Sequence, residues 1–70
     1  MDYMVVIEKA DDGSFSAYVP DLPGCVSCGE TPGQVLDSIR EAIAGHLALL
    51  REAGEPIPPA RSIASVVHAA

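Results

Sequence analysis

Two short apolar stretches separated by a polar turn open the chain. Residues 3–9 and residues 14–19 are rich in Val, Ile, Tyr and Phe, which are common in β-strands. Between them the segment ADDG, residues 10–13, supplies turn-forming residues, and Gly13 can adopt a positive φ. The pattern therefore predicts a β-hairpin.

A proline-rich corner follows the second predicted strand. In PDLPG, residues 20–24, each proline fixes its own φ and removes a backbone donor, so the strand cannot continue. Residues 25–29, CVSCG, then have the length of a short third strand. The first half of the chain is therefore predicted to form three strands.

Helix signals come next. Thr31 suits the N-cap, Pro32 suits the first helical position, and Gln34 stands where a capping box places its Glu or Gln. The pattern predicts a helix over residues 32–53, ended by Gly54. Its apolar stripe consists of Val35, Leu36, Ile39, Ala42, Ile43, Leu47 and Leu50.

Residues 62–68, SIASVVH, have the composition of one more strand. The predicted order is β-β-β-α-β, an α+β fold with an antiparallel three-stranded sheet, one helix and a short C-terminal strand, in a single domain over residues 1–70. One helix covers only one face of such a sheet. By alternation the other face carries Met4, Val6 and Tyr18, so it must meet solvent or a partner.

The small size of the chain favours self-association. A domain of this length buries only about 60% of the surface that its unfolded chain exposes, and small domains often compensate by oligomerisation. Apolar residues make up 49% of the 70 residues. We therefore expect a homo-oligomer, a dimer or a tetramer.

The net charge of −6 argues against direct binding of nucleic acid or an anionic membrane. Affinity for nucleic acid comes largely from Lys and Arg, and the four basic residues are scattered singly. A basic protein partner fits the acidic charge better.

The start of the chain does not resemble a signal peptide, and no apolar run approaches the roughly 20 residues that span a bilayer. The sequence therefore predicts a cytoplasmic protein.

Several segments together resemble the HicB-like antitoxin family, over roughly residues 3–59. They are Y-x-V-V-I-E, DGSFSA, VPDLPGC, GETP, IREAI and IPP. The resemblance implies a partial ribonuclease-H-like fold and an antitoxin of a type II toxin-antitoxin system. Its partner would be a small basic HicA-like toxin, shaped like a double-stranded-RNA-binding domain, that cleaves messenger RNA. Many family members continue into a DNA-binding segment; residues up to Ala70 contain none, so we expect no promoter binding.

Four residues are predicted to bind the partner: Tyr18, Asp21, Leu22 and Glu30. Tyr18 and Leu22 lie at the proline-rich corner, and aromatic residues often dominate interfaces. Asp21 and Glu30 belong to an acidic set that could imitate the charge of RNA. The plainer interpretations are that Tyr18 packs across the sheet and that most acids are ordinary solvated charges.

Cys25 and Cys28 form a C-x-x-C pair with three interpretations: packing, a zinc site shared between chains, or a redox pair. Packing is favoured because residues i and i+3 of a strand point to opposite faces. A structural zinc site also needs about four ligands, and the only histidines are His46 and His68. The sequence therefore predicts no metal and no cofactor, and His46 is interpreted as a half-buried helix residue.

Catalysis has little support in the sequence. Ribonuclease H chemistry needs convergent acids around metal ions. Asp37 and Glu41 share the polar face of the helix, away from Glu8 on the first strand. We therefore predict no catalytic residues and no enzyme. The alternative function is an orphan oligomeric interaction protein, with a zinc site at an interface as one version of it.

Overall fold

The computed structural model describes all 70 residues and contains three strands followed by one helix. The strands are β1, Val6–Lys9, β2, Phe15–Tyr18, and β3, Val26–Gly29; the helix α1 is Pro32–Glu52. The strands form one antiparallel sheet in the order β1-β2-β3. The α+β arrangement of three antiparallel strands and one helix is confirmed, with each strand shorter than predicted.

Residues 10–14 close the β1–β2 hairpin. The Ala10 N–H donates to the Ser14 carbonyl at 2.8 Å, and Gly13 adopts a φ of 89°. The Asp12 carboxylate accepts hydrogen bonds from the Ser14 backbone N–H at 2.9 Å and from its hydroxyl at 2.6 Å. Because only glycine adopts that φ without strain, the ADDG segment fixes where the chain reverses and hence the strand register.

The start of α1 is tied closely to the end of β3. Thr31 Oγ1 accepts a hydrogen bond from the Gln34 N–H at 3.1 Å, and Gln34 Oε1 accepts one from the Glu30 N–H at 3.0 Å. This pair satisfies two donors, with Gln34 reaching one residue further back than in a capping box. A Cβ atom at Gly29 would lie 2.8 Å from the Val35 backbone nitrogen. Strand and helix therefore touch through their backbones.

The core lies between α1 and the face of the sheet formed by β2 and β3. Its buried residues are Ala17, Val19, Leu22, Cys25, Val35 and Ile39. The proline-rich corner thus folds inward and contributes Leu22 to the core. Burying a Leu or Ile side chain contributes about 1.5–3 kcal/mol, so these few residues carry much of the stability of so small a domain.

The helix ends at a left-handed glycine, as predicted. Gly54 has a φ of 68°. Its N–H donates to the Arg51 carbonyl at 3.1 Å, and the Glu55 N–H donates to the Leu50 carbonyl at 2.9 Å. These two bonds form a Schellman motif, which satisfies carbonyl groups at the helix end.

The predicted strand at residues 62–68 does not form: residues 55–70 contain neither helix nor strand. A strand needs a neighbouring strand for its backbone groups. Here the N–H groups of Arg61 and Ser62 donate instead to one carboxylate oxygen of Asp21, at 2.9 and 2.8 Å. The Ser62 hydroxyl donates to the other oxygen at 2.9 Å. The composition favours a strand, but the segment pairs with neither free edge of its own sheet.

Candidate protein-binding surface

One face of the sheet is uncovered by α1. The strand register aligns its side chains in two rows across the sheet, Val6–Tyr18–Val26 and Glu8–Ser16–Cys28. We call these six residues the open face. Cross-strand neighbours lie on the same side of a sheet, so the side chains of each row are adjacent. The first row consists of two valines and a tyrosine and is largely apolar, whereas the second contains a carboxylate, a hydroxyl and a thiol.

Tyr18 lies in the middle of the apolar row. It is directly opposite Val6 across the hairpin, as its packing interpretation expects, yet 41% of its surface stays exposed. On its other side Val26 is 65% exposed. Aromatic side chains with an apolar body and a polar tip are frequent anchors of protein interfaces. The row therefore has the composition of a contact surface.

Acidic side chains lie on the side of this row that faces the hairpin turn. Glu8 is exposed in the second row of the open face. At the end of the sheet where the hairpin turn meets the start of α1, Asp12 and Glu30 border a depression of about 290 Å³ together with Gly13 and Ser14. Hydrogen bonds from the side chain and backbone of Ser14 lower the pKa of Asp12, which keeps its carboxylate ionised. The depression is therefore anionic.

Asp21 has a structural task. Its carboxylate accepts hydrogen bonds from the backbone of Arg61 and Ser62 and from the Ser62 hydroxyl. The Ser62 N–H is the main cause that lowers the pKa of Asp21. Both oxygens are thus engaged within the chain, and Asp21 fixes the segment after the helix to the proline-rich corner.

Leu22 lies in the core with 0% of its surface exposed. The prediction that it contacts a partner directly is corrected here, because no part of its side chain is accessible. An apolar residue between two prolines is typical of an exposed corner, but this corner turns under the helix. Leu22 supports the corner from beneath.

The predicted contact residues do not converge on one point. Tyr18 and Asp21 lie at the end of the sheet where β3 begins, and Glu30 lies beyond its other end. Three residue steps along β3 correspond to about 10 Å. Val26, which sequence reasoning missed, is the residue that joins Tyr18 on the open face. Alternation within CVSCG, matched to the second strand, was the signal that could have found it.

The two cysteines occupy different environments. Cys25 is buried in the core, and burial raises the pKa of its thiol. Cys28 is exposed on the open face, and both are free thiols. Because Cys25 is only 4% exposed, the pair is poorly placed to present two ligands to a metal shared between chains. No group of three or more His, Cys, Asp or Glu side chains is placed to hold a metal ion.

The acids considered for catalysis point to different sides of the molecule. Glu8 lies on the open face, whereas Asp37 lies on the exposed side of α1 with Arg40 at 3.6 Å. Glu41 follows on the same helix and is exposed. Because α1 packs on the opposite face of the sheet from Glu8, these carboxylates do not converge. His46 is half-buried on α1, as predicted.

No helix in the protein has the length and apolar character needed to cross a membrane.

Comparison with solved structures supports the fold. The N-terminal domain of the Burkholderia pseudomallei antitoxin HicB superimposes with a TM-score of 0.75 at 37% sequence identity. The match covers 84% of this chain and 69% of that domain's chain. At this level of identity the likeness extends to sequence as well as to architecture.

Sequence relatives agree with this match. A UPF0150 protein of Thermoplasma acidophilum is 39% identical over 99% of this chain and 100% of its own length. A 14.9 kDa protein from the rep-hol intergenic region of Haemophilus phage HP1 is 35% identical over 97% of this chain and 50% of its own length. The profile of the family described as HicB-like antitoxin of bacterial toxin-antitoxin system matches residues 3–70. The chain belongs to the HicB-like antitoxin family.

Proposed function

We propose that this chain is the antitoxin of a type II toxin-antitoxin pair and neutralises a small basic HicA-like toxin that cleaves messenger RNA. Membership of an antitoxin family supports the general role and a toxin as partner. The observation that carries the specific proposal is the open face, where an exposed apolar row lies beside acidic groups in a chain of net charge −6.

Neutralisation would work by occlusion. Tyr18 and Val26 would bury apolar surface against the toxin. Glu8 on the open face, and Asp12 and Glu30 at the end of the sheet, would face the Lys and Arg side chains that otherwise bind RNA phosphates. The antitoxin contributes no catalytic group, which agrees with a family of non-enzymatic regulators and with the divergent placement of its carboxylates.

In this proposal Tyr18 and Glu30 contact the toxin, while Asp21 acts mainly through position. Its internal hydrogen bonds hold the corner beside Tyr18 and keep its charge at that end of the sheet. Leu22, buried beneath, keeps the corner in place. A substitution at Asp21 would therefore weaken binding through local order more than through a lost ion pair.

We also propose that the protein is a homo-oligomer in the cytoplasm, where messenger RNA is available. If the open face binds toxin, self-association must use other elements. The outer edges of β1 and β3 have no neighbouring strand within the chain. A zinc ion bound by both cysteines of two chains does not fit this oligomer, because Cys25 lies in the core.

The test is co-expression with the product of the adjacent gene, scored by rescue of growth and by co-purification. Substitution Tyr18→Ala removes the proposed anchor, and a hot-spot residue contributes at least about 2 kcal/mol, or about 30-fold in Kd. The matched control is Leu49→Ala, which removes a 67% exposed apolar side chain from α1.

We expect Tyr18→Ala to lose rescue and Leu49→Ala to retain it. Affinity for the toxin should also fall as salt concentration rises, because the proposed charge pairs lie at an exposed rim. Equal rescue by both variants, or an affinity independent of salt, contradicts the proposed binding surface.

A further inference from the structure

A segment beyond the helix exposes apolar side chains almost completely. Ile63 is 91% exposed, Val66 is 98% exposed and Val67 is 84% exposed. We call residues 63–68 the tail. Its composition favours a strand, and it contains no Lys, Arg, Asp or Glu. Three large β-branched residues in one short exposed run form a patch of the kind that marks an interaction site.

The tail is anchored at its start and forms no hydrogen bond with its own sheet. Asp21 holds Arg61 and Ser62 at the corner between β2 and β3. From residue 63 onward no hydrogen bond ties the tail to the rest of the chain, and the molecule measures 46 × 27 × 16 Å. The tail is therefore exposed along its length and fixed to the rest of the chain only at its start.

The outer edge of β3 is suited to receive a strand. β3 pairs only with β2, so the backbone groups of its other edge are unpaired. It carries neither a charged side chain nor a proline, and Val26 is exposed on it. The outer edge of β1 differs, because Glu8 and Lys9 lie along it, and charged residues are a common protection against edge pairing.

We propose that the tail of one copy adds as a strand to the β3 edge of a second copy, with the reciprocal contact made in return. Six residues span about 20 Å and a four-residue strand about 13 Å, so the tail is long enough. Both elements are uncharged. Two chains of net charge −6 can therefore meet there with the least repulsion between their charges.

This pairing would give the tail the strand structure that its composition predicts and would bury its apolar residues. It deepens the proposed self-association and does not depend on neutralisation of a toxin. The exchange is a β-augmentation, in which backbone hydrogen bonds give affinity and alternate side chains give register.

Disulfide cross-linking tests the contact directly, because Cys28 on β3 is exposed and Cys25 is buried. Single cysteines are introduced at each tail position, residues 63–68, in the full chain and oxidised mildly. We expect disulfide-linked dimers at alternate positions, since neighbouring side chains of a strand point to opposite faces. Cys28→Ser in the same variants must abolish them. Absence of linked dimers at every position, equal yield at all positions, or links within single chains would overturn the proposal.

The oligomeric state provides a second test. The double substitution Val66→Asp and Val67→Asp should shift the mass measured by light scattering to that of the 7.3 kDa monomer, or raise the dissociation constant at least about 10-fold. Ala44→Asp with Ala48→Asp adds the same charge at exposed positions of α1 and should leave the oligomer intact. Circular dichroism confirms that each variant is folded.

The outcomes separate the two proposals. A wild-type protein that is monomeric refutes self-association and the tail contact together, without bearing on toxin binding. An oligomer that survives the tail substitutions, with no cross-link to Cys28, refutes the tail contact alone. Failure of the wild-type chain to rescue growth in the co-expression test, with its oligomer intact, refutes only the antitoxin proposal.

Discussion

Gly29 is the residue at which the packing of the sheet against the helix can be tested most sharply. A Cβ atom there would lie 2.8 Å from the Val35 backbone nitrogen, 3.2 Å from the Val35 Cα and 3.2 Å from the Gln34 Cβ. Two of these three atoms belong to the backbone of the first helical turn, so no side-chain rotation relieves the contact. Substitution Gly29→Ala must move β3 away from the start of α1.

The expected loss follows from this geometry. Ordinary van der Waals contacts begin near 3.4 Å, so the helix must shift by about half an ångström. Val35 is fully buried and Gln34 holds the N-cap, so the shift disturbs both the core and the cap. Overpacking of this kind destabilises by about 1–3 kcal/mol. That is a large share of the roughly 4–10 kcal/mol expected for a domain of this length.

Urea unfolding followed by circular dichroism, at one protein concentration, measures the effect. The matched control is Gly33→Ala, where a Cβ would meet nothing closer than Thr31 Oγ1 at 3.9 Å and where Ala favours the helix. We expect Gly29→Ala to lower the free energy of unfolding and Gly33→Ala to leave it unchanged or raise it. Equal stability of the two variants, within about 0.5 kcal/mol, would refute the backbone contact between strand and helix.

Three further predictions follow from single contacts. Gly54→Ala places a side chain at a φ of 68° and should lower the free energy of unfolding by about 1–2 kcal/mol in the same urea assay; an unchanged midpoint would contradict the Schellman motif. Asp21 has a lowered pKa in the folded protein, so its stabilising contribution is present above the ordinary carboxyl pKa and is lost as pH falls through the folded pKa. The protection factor of the Ser62 amide, which compares its exchange rate with the intrinsic rate at the same pH, should fall in that acidic range, whereas in Asp21→Asn it should depend much less on pH; a wild-type protection factor unchanged by acid would contradict the prediction. A thiol reagent should modify Cys28 well before Cys25, because burial shields the latter and raises its pKa; equal rates by mass spectrometry would place both at the surface.

Local signals made most of the fold predictable. The Thr31–Pro32 pair and Gly54 mark the helix ends to within one residue of their observed positions, because caps are set by neighbours in sequence. Gly13 placed the hairpin turn for the same reason. Alternation in the first strand correctly separated the helix-covered face from the open face that carries Tyr18.

The features that sequence reasoning missed depend on contacts between distant residues. Leu22 was placed on the surface because a Pro-Asp-Leu-Pro corner resembles an exposed loop, and only the path of α1 shows that it is covered. The link from Asp21 to Ser62 joins residues 41 positions apart and has no local signature. The strand predicted at 62–68 was wrong because composition describes what a segment favours, not whether it pairs with another strand.

Asp21 and Leu22, adjacent residues of the proline-rich corner, have opposite orientations and different roles. Leu22 faces the core while Asp21 faces outward and grips the chain at Arg61 and Ser62. A force on the tail therefore reaches Asp21 through Arg61 and Ser62, and Asp21 is bonded directly to the fully buried Leu22. Release of the Asp21 anchor should therefore also loosen the packing of Leu22. A partner that orders the tail would consequently also stiffen this corner, and a protease that cuts within the corner would release both the anchor and Leu22.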